Sequence, residues 1–128
     1  NSDTYFSISH SFPYIAVAVA INQSIGIDIQ SKTSKILRLQ DKFLSPTEQR
    51  ICENNIDYIT FVWCAKEALF KKFGKGAVDF KDHMPLIELN KSITTELNGM
   101  IHFNRVQPAI AEYVKGGIAD EYCWAVTI

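Results

Sequence analysis

The chain is 128 residues long, 47% hydrophobic and 21% charged, with a formal net charge of −1. That size supports one domain with a real core and not two, and a near-neutral chain lacks the basic footprint of a general nucleic-acid binder. Cys52, Cys64 and Cys123 are odd in number, far apart and without metal-ligand spacing, which argues against a disulfide framework or a zinc site and fits a reducing, cytoplasmic setting.

Residues 5–8 and 14–21 are rich in aromatic and β-branched side chains and flank Ser9-His10-Ser11-Phe12-Pro13; the pattern predicts strand, polar turn, strand. His10 is thereby expected in a loop, as an ordinary surface residue or as a donor to a phosphate. The apolar run at residues 14–21 falls well short of the roughly 20 residues a membrane helix needs, and no signal or anchor pattern is visible. The chain opens at Asn1 and runs at once into strand-like sequence, as the interior of a longer polypeptide would.

Ile25-Gly26-Ile27-Asp28-Ile29-Gln30 alternates strictly, predicting a half-buried strand with Gly26, Asp28 and Gln30 on its second face. Two oxygen donors beside a glycine that leaves room for a ligand suit Mg²⁺. The competing reading makes Asp28 a turn residue closing the strand. Residues 34–44 read as a helix with Lys35, Arg38 and Lys42 along one side: a solvated face, or a landing strip for an acidic helical partner. Ser45-Pro46-Thr47-Glu48 has the spacing of a capping box, predicting a helix from residue 46 to about 54 and giving Glu48 a structural role.

A long helix is expected over residues 57–73, because Tyr58, Val62, Ala65 and Leu69 recur at three- and four-residue steps and Gly74 follows as a stop. Trp63, Glu67, Phe70 and Lys71 fall on an adjoining face. A Glu followed four residues later by Lys is commonly an exposed pair; on this face the two could also hold a metal and a phosphate. Weaker strand signals follow at residues 85–89, 94–97 and 100–103. Clear strands come at residues 110–114 and 122–128, joined across a Gly116-Gly117 turn. The fold class is α+β, an antiparallel sheet packed against helices on one side.

The ordered set Ser7-Ile8-Ser9-His10-Ser11, Gly26-Ile27-Asp28-Ile29-Gln30, Phe43-Leu44-Ser45-Pro46-Thr47-Glu48, Trp63-Cys64-Ala65-Lys66-Glu67-Ala68 and residues 71–76 resembles the 4′-phosphopantetheinyl transferases. The order is similar to that of the long, pseudo-dimeric class that activates surfactin synthetase; the short holo-acyl-carrier-protein synthases carry the Ser-His-Ser piece near their C-terminus. The resemblance implies transfer of the phosphopantetheine arm of coenzyme A to a serine of an acyl or peptidyl carrier protein, with Mg²⁺. It implies Asp28, Glu67 and, with a neutral amide where many relatives have an acid, Gln30 around the metal. Lys71, Lys75, His10 and Ser9 would contact coenzyme A, and Lys66, Glu48 and Glu67 would serve the chemistry, the first two by orienting or deprotonating the nucleophile. The stripe Lys35, Arg38 and Lys42 would meet the acidic carrier. The long class also has an N-terminal half that this chain is expected to lack, so either the chain is part of a longer polypeptide or copies assemble into a homo-oligomer. The alternative is a module that binds coenzyme A or the carrier without turnover.

Overall fold

The computed structural model describes residues 2–73, 76–91 and 95–127. In chain order it contains β1 (Thr4–Ser11), β2 (Tyr14–Ile21), β3 (Gly26–Ser31), α1 (Lys35–Leu39) with a 3₁₀ turn at Gln40–Lys42, α2 (Pro46–Cys52) and α3 (Ile56–Phe73). Four more strands complete it: β4 (Leu86–Lys91), β5 (Glu96–Phe103), β6 (Ile110–Ile118) and β7 (Tyr122–Thr127). Strands β3-β7-β6-β5-β4 form one antiparallel sheet, and β1-β2 a separate hairpin. The α+β class holds.

Helix α3 lies on the sheet against β3, β7 and β6, and it is buried over more than one stripe. Val62, Ala65 and Leu69 are sealed, but so are Ile59, Phe61, Cys64, Lys66 and Ala68, because α1, α2 and the segment before β4 close over the side facing away from the sheet. Its last turn is fixed by Phe73 stacked on Phe103, centroids 4.3 Å apart. The capping box forms as predicted: Glu48 N donates to Ser45 Oγ at 3.2 Å and Ser45 N to Glu48 Oε1 at 2.8 Å. Helix α2 stops at Cys52 because Glu53 and Asn54 adopt left-handed conformations.

Several expectations are corrected. His10 lies in β1, paired with Ile15, and not in a loop; pairing continues to Ser11 and Tyr14, leaving only Phe12-Pro13 as the turn. The helix expected over residues 34–44 ends at Lys42, after which Phe43 and Leu44 leave the helical path and enter the core. Residues 86–91 and 96–103 form two continuous strands. Gly99 does not interrupt β5, since a Cβ there would stand 2.3 Å from Glu88 O: the glycine admits β4 at close range. Gly116 and Gly117 are inside β6 and not a turn; side chains there would meet Trp124 O at 1.9 Å and the Trp124 indole nitrogen at 2.5 Å. Gly74, Thr94 and Ile128 fall outside the described residues.

The hairpin joins the sheet in a way the strand pattern did not suggest. Ser7, Ser9 and Ser11 accept hydrogen bonds through Oγ from the backbone nitrogens of Ile27, Ile29 and Ser31, at 3.0–3.1 Å. Serine hydroxyls thus take the place of a neighbouring strand along the free edge of β3, satisfying donors that burial would otherwise leave unpaired. The face of the hairpin toward β3 is small, with Ser7, Ser9 and Ala20 buried; the other carries Phe6, Ile8, Ile15, Val17, Val19 and Ile21, all more than half exposed.

Candidate active site

Strand β3 is buried on both faces, so the half-buried reading is too open: Ile27 and Ile29 are buried, and Asp28, on the opposite side, is 3% exposed. Asp28 faces α3 together with Gly26. The room beside Gly26 is not left for a ligand. It is taken by the helix backbone, for a Cβ on Gly26 would sit 1.9 Å from Ala68 O. This close approach carries Glu67 and Lys71 of α3 up to Asp28.

Three donors hold the Asp28 carboxylate. Ser9 Oγ donates to Oδ1 at 3.0 Å, Lys71 Nζ to the same oxygen at 3.2 Å, and Gln30 Nε2 to Oδ2 at 2.8 Å. Lys71 also donates to the backbone carbonyls of Ile27 at 2.9 Å and Ile8 at 3.3 Å, bridging β3 and β1. Glu67 is half-buried. Burial first, and then the Asp28 charge, raise its carboxyl above the usual range, with Lys71 pulling the other way. Two carboxylates therefore feel one another across the strand–helix seam, with an ammonium beside them. Beneath them the thiol of Cys64 is pushed well up by burial and by Asp28.

Among the described residues no third His, Cys, Asp or Glu joins these acids to make a larger metal-binding group. Two carboxylates are enough for Mg²⁺, which takes one or two from the protein and fills its remaining positions with water and substrate phosphate. The Lys71 ammonium is surrounded by oxygens, one carboxylate and two carbonyls, and oxygen is the donor type a hard cation takes. The residues present fit the ion.

Lys66 and Glu48 form a separate cluster. Lys66 Nζ donates to Glu48 Oε2 and Phe43 O, each at 2.7 Å, and to Phe80 O at 2.9 Å, using all three of its protons. Glu48 Oε2 also accepts from Leu86 N at 2.8 Å. Burial pulls the Lys66 ammonium down while the Glu48 charge holds it up. Both side chains are sealed from solvent, and what they fix is an aromatic wall: Phe43 against Trp63 at 4.8 Å, Trp63 against Phe80 at 5.4 Å, Phe80 against Phe70 at 5.9 Å. Phe43 and Trp63 of that wall line a cleft of about 330 Å³ together with Gln30, Ile36, Leu39, Lys35 and Lys42.

The sequence-predicted residues therefore divide. Asp28, Gln30, Glu67, Lys71 and Ser9 meet at one point. His10, next to Ser9, is on the exposed opposite face of β1. Lys35, Arg38 and Lys42 are exposed, the first and last among the residues lining the cleft, and Arg38 outside its lining. Lys75 falls outside the described residues. Sequence reasoning missed Ser7 and Ser11 as edge caps; the Ser-x-Ser-x-Ser spacing, matching every second amide of β3, was the available signal.

Residues 24–127 match the family model of the 4′-phosphopantetheinyl transferase superfamily. A 4′-phosphopantetheinyl transferase of Bacillus subtilis is 35% identical over 79 residues, and the 4′-phosphopantetheinyl transferase Sfp of Bacillus subtilis strain 168 is 34% identical over 79 residues. In both cases the match covers 58% of this chain and 35% of the relative's length. Since the family match begins just before the strand bearing Asp28 and runs through the last strand of the sheet, the chain belongs to the 4′-phosphopantetheinyl transferase superfamily.

Proposed function

We propose that the chain carries the metal-and-phosphate wall of a Mg²⁺-dependent transferase that moves 4′-phosphopantetheine from coenzyme A to a serine of an acyl or peptidyl carrier protein. The observation that carries this is the meeting of Asp28, Glu67 and Lys71 at one seam between β3 and α3. In the reaction the serine hydroxyl gives up its proton to water as its oxygen attacks the pyrophosphate phosphorus nearer the pantetheine. The bond from that phosphorus to the bridging oxygen breaks, and adenosine 3′,5′-bisphosphate leaves. A bound Mg²⁺ would neutralise pyrophosphate charge. Asp28 and Glu67 would hold it, with Gln30 orienting Asp28 or reaching the ion through a water. Lys71, with Lys75, would bind pyrophosphate oxygens. His10 and Ser9 are assigned to the coenzyme on the family resemblance, His10 through the adenosine-side phosphate.

Lys66 and Glu48 act at one remove. Sealed from solvent, they brace the aromatic wall along which the nucleophile and the pantetheine arm are oriented. The cleft, lined by Lys35 and Lys42 along with apolar Ile36 and Leu39, suits an acidic helix with an apolar ridge, and exposed Arg38 on α1 adds positive charge.

The test is incubation of the protein with coenzyme A, Mg²⁺ and an apo carrier, read by intact mass. The carrier should gain one phosphopantetheine, and Asp28→Asn or Glu67→Gln should lower the rate by roughly 10²-fold or more with the fold retained by circular dichroism. Unmodified carrier, under conditions where a known transferase modifies it, rejects the enzyme reading. A second reading, binding without turnover, is favoured by the bare outer face of the β1–β2 hairpin, which leaves one side of the domain without a covering layer. Calorimetry showing coenzyme A binding in the absence of product supports that module.

A further inference from the structure

Every oxygen of Asp28 is engaged, and the three donors differ in how freely they can leave. Ser9 is pinned, because its hydroxyl also accepts from Ile29 N. Gln30 is two residues along the same strand. Lys71 reaches in from α3 on a flexible four-carbon arm 30% exposed to solvent, and of the three it alone is positively charged. A dication approaching Asp28 and Glu67 must therefore displace Lys71 first, since the two cations repel and compete for the same Oδ1. Displacement has a cost, because the ammonium gives up Asp28 and the carbonyls of Ile27 and Ile8 together. Coenzyme A removes that cost by offering phosphate oxygens to the freed ammonium.

From this we infer that Lys71 is the resident cation of the carboxylate seam: it holds Asp28 until a coenzyme phosphate draws it away, so that divalent metal and coenzyme A enter cooperatively and neither binds well alone. The inference rests on the function proposed above and adds an order of events to it. By linkage, the factor by which coenzyme A tightens metal binding equals the factor by which metal tightens coenzyme A binding.

The test is titration of the protein with Mn²⁺, read by electron paramagnetic resonance, with and without saturating coenzyme A, in wild type, Lys71→Met and Lys71→Gln. Wild type should bind Mn²⁺ weakly alone and about tenfold or more tightly with coenzyme A, within the usual range of coupling. The variants should bind Mn²⁺ alone several-fold more tightly than wild type and show a clearly smaller coupling, what is left being direct ligation of the ion by coenzyme phosphate. Tighter Mn²⁺ binding with the coupling intact would mean only that a nearby positive charge had been removed, and overturns the inference. Unchanged Mn²⁺ affinity in both variants overturns it as well, while leaving the metal reading of the site standing. Absence of Mn²⁺ binding in every protein, with coenzyme A present, overturns both.

Discussion

A single buried ion pair shows how differently two neighbouring residues of one helix can be used. Lys66 and Glu67 are adjacent on α3, yet one is sealed against Glu48 and the other opens onto Asp28. Lys66→Met should cost about 3–5 kcal/mol in urea denaturation, because it strands Glu48 as an uncompensated buried charge. Adding Glu48→Gln should recover part of that loss. Glu67 carries the opposite sign. Its carboxyl is raised by burial and by Asp28, so the native state binds more protons than the unfolded chain between the ordinary carboxylate pKa and the raised one. Stability of the metal-free protein therefore rises as pH falls through the raised value, and the gain is complete below the ordinary value. Glu67→Gln should flatten this slope and raise the thermal midpoint at neutral pH; a midpoint lowered by the substitution would contradict the repulsion. Asp28, Glu67 and Lys71 were legible in the sequence because alternation on a strand and four-residue spacing on a helix fix which way side chains point. The sealing of Lys66 was not legible. Nothing local distinguishes a lysine that meets a glutamate eighteen residues away from one that meets water.

At the level of elements, the seam between β1 and β3 replaces a ladder with side chains. Ser7→Ala with Ser11→Ala leaves Ser9 on Asp28 but removes the acceptors for Ile27 N and Ser31 N. Each lost bond should cost about 1–3 kcal/mol where the donor stays buried, and hydrogen exchange should speed up at those two amides while α3 keeps its protection. Equal loss of protection throughout the domain would mean that the hairpin is not held locally. The capping box and the long helix could be read from sequence because both depend on contacts a few residues apart. The glycines of β6 misled for the converse reason: Gly116 and Gly117 answer to Trp124 on the neighbouring strand, and a glycine admitted for close packing looks locally like a glycine that turns.

For the molecule as a whole, the hairpin is inside out. Period-two alternation predicts two faces without saying which is inward, and here the serine and alanine face is packed while Phe6, Ile8, Ile15, Val17, Val19 and Ile21 are open to solvent. A contiguous apolar surface of this kind marks an interaction site or an association liability. The purified chain should self-associate at micromolar concentration. Val17→Lys should shift it toward monomer in size-exclusion light scattering without changing its helix content; a wild-type chain that is monomeric at tens of micromolar would show that the face tolerates water. Gly26 has a consequence on the same scale. Because no methyl group separates β3 from the backbone of α3 at Ala68, the gap between the two acids is gauged by main chain against main chain, a spacing that side-chain repacking cannot relax. In the proposed metal site, an alanine wedge there would move the two acids apart by on the order of an ångström, a spacing that suits an ion of calcium's radius, with its longer, looser oxygen contacts, better than one of magnesium's.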